Sequence, residues 1–343
     1  MQYRESKDIT RQYKQNYADG IERIIDARQK DAERVRAAYT KSIFEDAPRY
    51  REDLKAMLGW PLVGHHTDSL PYSVTEKIAE EETHTVYRMQ FEILDGLMMS
   101  GLFFRAKNVS PDGKDPLVIV QHGGLGTPEH IAGFYGSTTN YNGMLERVIR
   151  HGVHAFAPQL LLWGEKYDIP FDRRAIDARL KRVGSSITAV EVYGITRILD
   201  YFEVQDYVSG LGMVGLSYGG FYTLFTAALD TRILSAVSCS FFNRRDRFGW
   251  SDWVWQSSAE KFDDAEIACL VYPRRLWLGV GNADELFEAK YAEESFKKLE
   301  ALCKTVGTDW VKLTVFDGKH EFYRDDTPIL QLIQDLCAHE SYQ

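Results

Sequence analysis

The sequence predicts an α/β fold, with a mostly parallel central sheet, helices on both faces and a helical N-terminal extension. Three observations predict it. Short, almost fully apolar runs recur between residues 116 and 316, and such runs mark strands buried on both faces of a parallel sheet. Stretches with helical spacing separate them, the alternation that covers such a sheet with helices. The first 58 residues instead place apolar positions three and four apart among charges, the signature of a surface helix.

The elements follow in chain order. Residues 8–58 read as helix, with a stripe of Ile21, Ile24, Ile25, Ala32, Val35 and Tyr39. The stripe is expected to pack against the main domain; the sharper alternative is a dimerisation arm or a lid. The pattern changes at Gly59-Trp60-Pro61, which divides an extension over residues 1–60 from a main domain over 61–343. Residues 83–94 and 98–107 alternate like strands, joined by a turn at Asp95-Gly96. Strands are then expected over 116–120, 153–157, 211–214, 233–238, 275–280 and 311–316. Helices are expected over 145–150, 187–202, 221–229, 287–302 and 329–338. The chain shows no internal repeat and no low-complexity linker.

Composition narrows the function. The 41 basic and 50 acidic residues give a net charge of −9, which disfavours nucleic acid and anionic membranes as partners. No apolar run approaches the ~18 residues that would span a bilayer. The first eight residues are polar, unlike a signal peptide, so a cytoplasmic location is expected. Cys239, Cys269, Cys303 and Cys337 lie at no metal-finger spacing. Cys239 and Cys269 sit in apolar runs and read as core thiols, and nothing calls for disulfides. His65-His66 is no metal pair, because adjacent side chains diverge and no carboxylate pattern completes a site. No metal and no organic cofactor are expected.

The chemistry is concentrated in three loops. Gly215-Leu216-Ser217-Tyr218-Gly219-Gly220 follows a strand and precedes a helix. This is the G-x-S-x-G arrangement in the strand–turn–helix context that gives it meaning. Side chains two residues either side of the serine would collide with neighbouring backbone, and glycines remove them. The turn lifts the Ser217 hydroxyl above the sheet, at the positive end of the following helix. Gln121-His122-Gly123-Gly124 follows the apolar strand ending at Val120. Such a loop supplies one backbone N–H to an oxyanion, from Gly123 or Gly124, while the residue after the nucleophile, Tyr218, supplies the other. His122 is expected to be a hydrogen-bonded structural residue.

The acid and base of such a site follow the serine in chain order. Asp284 lies on the loop past the strand 275–280, with Glu285 as its rival, expected to point elsewhere. The last strand leads into Phe316-Asp317-Gly318-Lys319-His320, which makes His320 the base and Asp284 the group that fixes its tautomer. The other eight histidines read as surface or structural.

These residues resemble the dienelactone-hydrolase-like branch of the α/β-hydrolases, near the bacterial acetyl xylan esterase-type members. The likeness is carried by Gln121-His122-Gly123-Gly124, by residues 215–220, by residues 265–274 leading into Gly281-Asn282-Ala283-Asp284, and by Gly318-Lys319-His320-Glu321-Phe322. Trp163-Gly164-Glu165 stands where such enzymes often carry a Gly-x-Gly-Glu-like loop, with the first glycine replaced. The resemblance covers roughly residues 80–340. It implies the α/β-hydrolase fold and a serine esterase activity, with a carbohydrate acetyl ester as one substrate class. A helical extension also occurs in relatives that cleave carbon–carbon bonds, so a C–C or peptide hydrolase is the alternative. A non-catalytic binding protein on the same fold is the alternative of another class, which the intact Ser217, Asp284 and His320 disfavour.

Two excursions, near residues 162–186 and 241–265, are expected to act as cap-like insertions bordering the pocket. Trp163, Trp250 and Trp253 are candidate aromatic walls for a sugar ring or aryl acyl group, against the plainer reading that the tryptophans seal the core. Arg244, with Arg245 and Arg247, could hold an acidic substrate, but pairing with Asp246, Asp252 and nearby acids is favoured. The expected partner is a small-molecule ester, and the uncovered stripe of the extension suggests a homodimer.

Overall fold

The computed structural model describes residues 2–60, 69–107, 110, 113–163 and 171–339. Nine strands form one sheet: β1 (Ser73–Glu80), β2 (His84–Leu94), β3 (Leu97–Ala106), β4 (Asp115–Gln121), β5 (His154–Pro158), β6 (Val208–Leu216), β7 (Ile233–Cys239), β8 (Arg275–Gly281) and β9 (Val311–Phe316). Their order is β1-β2-β3-β5-β4-β6-β7-β8-β9. The first three pairs in this order are antiparallel, and the five pairs from β5 to β9 are parallel. The β2–β3 hairpin turns at Asp95 and Gly96, both at positive φ, as a tight right-twisted hairpin requires. β1 was not expected from sequence; its mostly exposed edge position leaves it no apolar face to show.

The helices are α1 (Lys7–Tyr39), α2 (Ala47–Leu58), α3 (Pro128–Ile131), α4 (Met144–Ile149), α5 (Arg173–Arg182), α6 (Ile187–Glu203), α7 (Tyr218–Leu229), α8 (Asp264–Cys269), α9 (Ala289–Leu302) and α10 (Thr327–His339). They cover both faces of the sheet. One core packs α2, α6, α7, α8 and α9 against it through Leu54, Ile198, Phe225, Ile267 and Leu299. The other packs α4 and α10 through Leu145, Val148, Leu332 and Leu336. All seven residues of β4 are buried, which explains its unbroken apolar run.

The single helix expected over residues 8–58 is two. The Thr40 hydroxyl turns back to the Arg36 carbonyl at 2.8 Å, and Pro48 opens α2, a residue suited to a first turn and unable to continue a preceding helix. α2 is wedged into the main core, with Leu54 and Leu58 fully buried. The end of α1 docks through buried Arg36, which donates to Glu266 at 3.0 Å and to the Ala259 carbonyl. The earlier part of its stripe, Ile21, Ile24 and Ile25, is exposed.

Candidate active site

The chain reaches Ser217 at the C-terminal end of β6 and turns sharply into α7. Ser217 sits at φ +61°, ψ −121°, a strained conformation that marks functional turns. The flanking glycines are required by space. A Cβ on Gly215 would collide with the Gly219 backbone, and one on Gly219 would collide with the Gln121 carbonyl, both closer than 3.0 Å. The turn is tied to β7 by the Ser217 N–H, which donates to the Cys239 carbonyl at 2.9 Å.

Asp284 and His320 stand on the loops after β8 and β9. The His320 Nδ1–H donates to Asp284 Oδ2 at 2.9 Å. A carboxylate only accepts, so the proton lies on Nδ1 and Nε2 is left as the acceptor nitrogen. Asp284 Oδ1 accepts from the Leu286 and Phe287 N–H groups, each at 2.9 Å, and its side chain is fully buried. Glu285 is exposed. Phe287 stacks on the His320 ring at 5.5 Å. The His320 loop meets the Ser217 turn at the end of β7, where the Cys239 thiol and the Ser240 hydroxyl both donate to the Glu321 carbonyl. Burial pushes the Cys239 thiol up to about 12, so it is an inert filler here.

The two candidate oxyanion glycines differ. Gly123 N–H donates to the Tyr141 hydroxyl at 2.8 Å. Gly124 lies beside Trp163 and Tyr218. Among the described residues, neither Gly124 N–H nor Tyr218 N–H has a hydrogen-bond acceptor. His122 is structural, as expected. Its Nδ1–H donates to the Gly123 carbonyl at 2.9 Å and its Nε2 accepts from Leu160 N–H at 3.2 Å. Complete burial lowers its pKa to about 4.

Trp163 meets the Tyr218 ring edge-on at 4.9 Å, and Trp250 stacks on it at 5.9 Å. Trp253 is a correction: it is wholly buried and packs beneath Tyr218 at 4.7 Å and Trp250 at 4.6 Å. It supports the wall and cannot line it. Arg244 is paired with Asp246 at 2.6 Å and Glu294 at 3.1 Å. Arg245 pairs with Asp264 and Arg247 approaches Glu288 at 3.8 Å. Gly164 and Glu165 of the Trp163 loop and the pair His65-His66 lie outside the described residues.

Sequence reasoning missed a buried polar cluster under Tyr218. Arg173, fully buried, donates to Asp252 at 2.8 Å, to both oxygens of Glu191 at 3.1 and 2.9 Å, and to the Tyr222 hydroxyl at 2.8 Å. Tyr218 donates its hydroxyl proton to Asp252 at 3.0 Å. It also missed Asn140 and Asn142, whose side-chain amides donate to the His320 and Phe322 carbonyls at 3.0 and 2.7 Å and hold the loop of His320. These members come from distant parts of the chain, and no local spacing announces them.

No family profile matches the chain. It is 30% identical over 264 residues to the Bacillus subtilis (strain 168) protein named "Putative hydrolase YtaP", a match covering 70% of this chain and 84% of that protein. Among solved structures it resembles "Methylesterase BT1017", with a TM-score of 0.67 and 19% identity over 90% of this chain and 68% of that one. It also resembles the acetyl xylan esterase from Paenibacillus sp. R4, with a TM-score of 0.56 and 15% identity over 86% of this chain and 93% of that one. At such identities the structural likeness concerns the fold, while the relative of higher identity carries the kinship. The chain therefore belongs to the α/β-hydrolase superfamily and shares its fold with the acetyl xylan esterases.

Proposed function

We propose that the protein is a serine hydrolase that cleaves carboxylic esters through an acyl-enzyme intermediate. The observation that supports this reading is that Ser217, strained at the β6–α7 turn, and the loop of His320, whose Nδ1–H donates to buried Asp284, are both bonded to the end of β7. Ser217 attacks the ester carbonyl as His320 Nε2 takes its proton. The tetrahedral anion is received by the N–H of Tyr218 and that of Gly124. Gly123 is the lesser candidate, because its N–H already serves Tyr141. His320 returns the proton to the departing alcohol, then activates the water that frees the acid. No step calls for a metal or organic cofactor.

Neighbours acting on carbohydrate esters, together with the indole faces of Trp163 and Trp250 beside Tyr218, favour an acetylated sugar or aryl ester as substrate. Arg244, spent on two carboxylates, is set aside as a substrate contact. The test is covalent labelling by a fluorophosphonate probe, with hydrolysis of short-chain aryl esters and acetylated sugars. Labelling should map to Ser217 and vanish in Ser217→Ala. A Ser217→Ala enzyme with near-wild-type esterase activity would end the proposal. Carbon–carbon or amide cleavage without esterase activity would redirect the same triad to that chemistry.

A further inference from the structure

We infer that Asp252 is a positioning residue, which fixes the oxyanion-binding end of α7 through the Tyr218 hydroxyl. This rests on the reading of Tyr218 N–H as an oxyanion donor.

Tyr218 opens α7 directly after Ser217, so any shift of its Cα carries its N–H with it. The ring is flanked by Trp163 and Trp250 and floored by Trp253. The hydrogen bond to Asp252 Oδ2 fixes the outer end of the ring as well. Asp252 is itself immobilised: its side chain is fully buried and the same oxygen accepts from Arg173 Nε at 2.8 Å. Arg173 is held in turn by the bidentate Glu191 of α6, and Tyr222, one turn along α7, joins Arg173 to Glu191.

A buried ion cluster is a costly way to fill a core. Apolar residues of similar volume often do as well or better, whereas removing one partner strands a charge. Packing alone therefore does not explain Asp252 and Arg173. Their geometry does something a core cannot: it aims one hydroxyl and so one N–H. It also joins both insertions to the site. Arg173 holds the Leu161 carbonyl, two residues before Trp163, and Asp252 adjoins Trp250 and Trp253. Burial and the Asp252 carboxylate hold the Tyr218 hydroxyl protonated, so it remains a donor throughout the working pH range.

The deciding variant is Tyr218→Phe, which removes the hydroxyl and keeps the ring and the N–H. We expect kcat to fall about 10- to 100-fold, the scale set by small misplacements in an active site, with KM within about twofold, the pattern left by losing an interaction made only in the transition state. Affinity for an alkyl or aryl boronic acid, which presents a tetrahedral anion to the same N–H groups, should fall by a factor matching the loss in kcat/KM. Asp252→Asn should move the same quantities the same way. A Tyr218→Phe enzyme with unchanged kcat and boronate affinity, whatever its melting temperature, overturns the inference, as does a rise in KM alone. Wild-type enzyme that is not labelled at Ser217 by a fluorophosphonate would instead remove the reading beneath it.

Discussion

Asp284 and Glu285 carry the same functional group one residue apart, and their surroundings separate them completely. Asp284 is sealed from solvent, bonded to His320 and to two backbone N–H groups, while Glu285 points into water. Asp284→Asn should cut kcat on the order of 10⁴-fold, since the amide disturbs the tautomer of the base, and Glu285→Gln should leave it within a small factor. Steady-state kinetics on the two variants checks this; reversed effects would move the acid to Glu285. His122 makes a second residue-scale case. Burial lowers its pKa from 6.5 to about 4, so the folded protein keeps it neutral while the unfolded chain takes up a proton as the pH drops. Its contribution is thus full above about pH 6.5 and is lost as the pH falls towards 4, by about 3 kcal/mol. Asp264 acts oppositely: burial raises it to about 6, so the folded state gains relative stability as the pH falls from 6 to 3.8. A His122→Asn variant separates the two. Its urea midpoint should be lower than wild type at pH 7, with the gap narrowing at pH 4.5. A constant gap would show that His122 is not the group responsible.

At the scale of elements, legibility followed the reach of the signal. The parallel strands were readable because burial on both faces writes an apolar run into consecutive residues, as in β4 and β6. The β6–α7 turn was readable because its constraint is local: each glycine is demanded by atoms a few residues away or on the adjoining strand. Gly219→Ala should therefore destabilise the protein and abolish activity together, since its Cβ would strike the Gln121 carbonyl. Gly124→Ala should fold normally, because the nearest atom to its Cβ would be a Trp163 ring carbon at 3.4 Å. Thermal melts of both variants test the contrast; equal destabilisation would contradict it. The break between α1 and α2 has one local mark, Pro48, which the charged and apolar residues continuing on either side of it obscure. Arg173, Glu191 and Asp252 could not be read as a unit, since the helix α6 and the insertion after β7 meet only when the sheet has formed. Nor could Trp250 be told from Trp253: the spacing places both on the pocket rim, and only packing decides that one is buried.

On the scale of the whole molecule, α1 carries an apolar face that the rest of the described chain leaves uncovered. Ile9, Tyr13, Tyr17, Ile21, Ile24 and Ile25 are all exposed, Tyr17 at 75%. They recur at three- and four-residue spacings, so they form one stripe along roughly half of a 33-residue helix. Contiguous apolar surface of this kind on a soluble protein marks an interface. We propose that a second copy of the chain covers it, with the two α1 stripes meeting about a two-fold axis. The same surface patch then serves both subunits, as closed two-fold dimers require. The protein should sediment as a dimer at micromolar concentration. The pair Tyr17→Glu and Ile24→Glu should yield a monomer that still labels at Ser217, because these residues lie on the free stretch of α1, outside the loops that hold the triad. A wild-type protein that sediments as a monomer, or a dimer indifferent to both substitutions, would leave α1 as a packing helix anchored only by Arg36 and its neighbours.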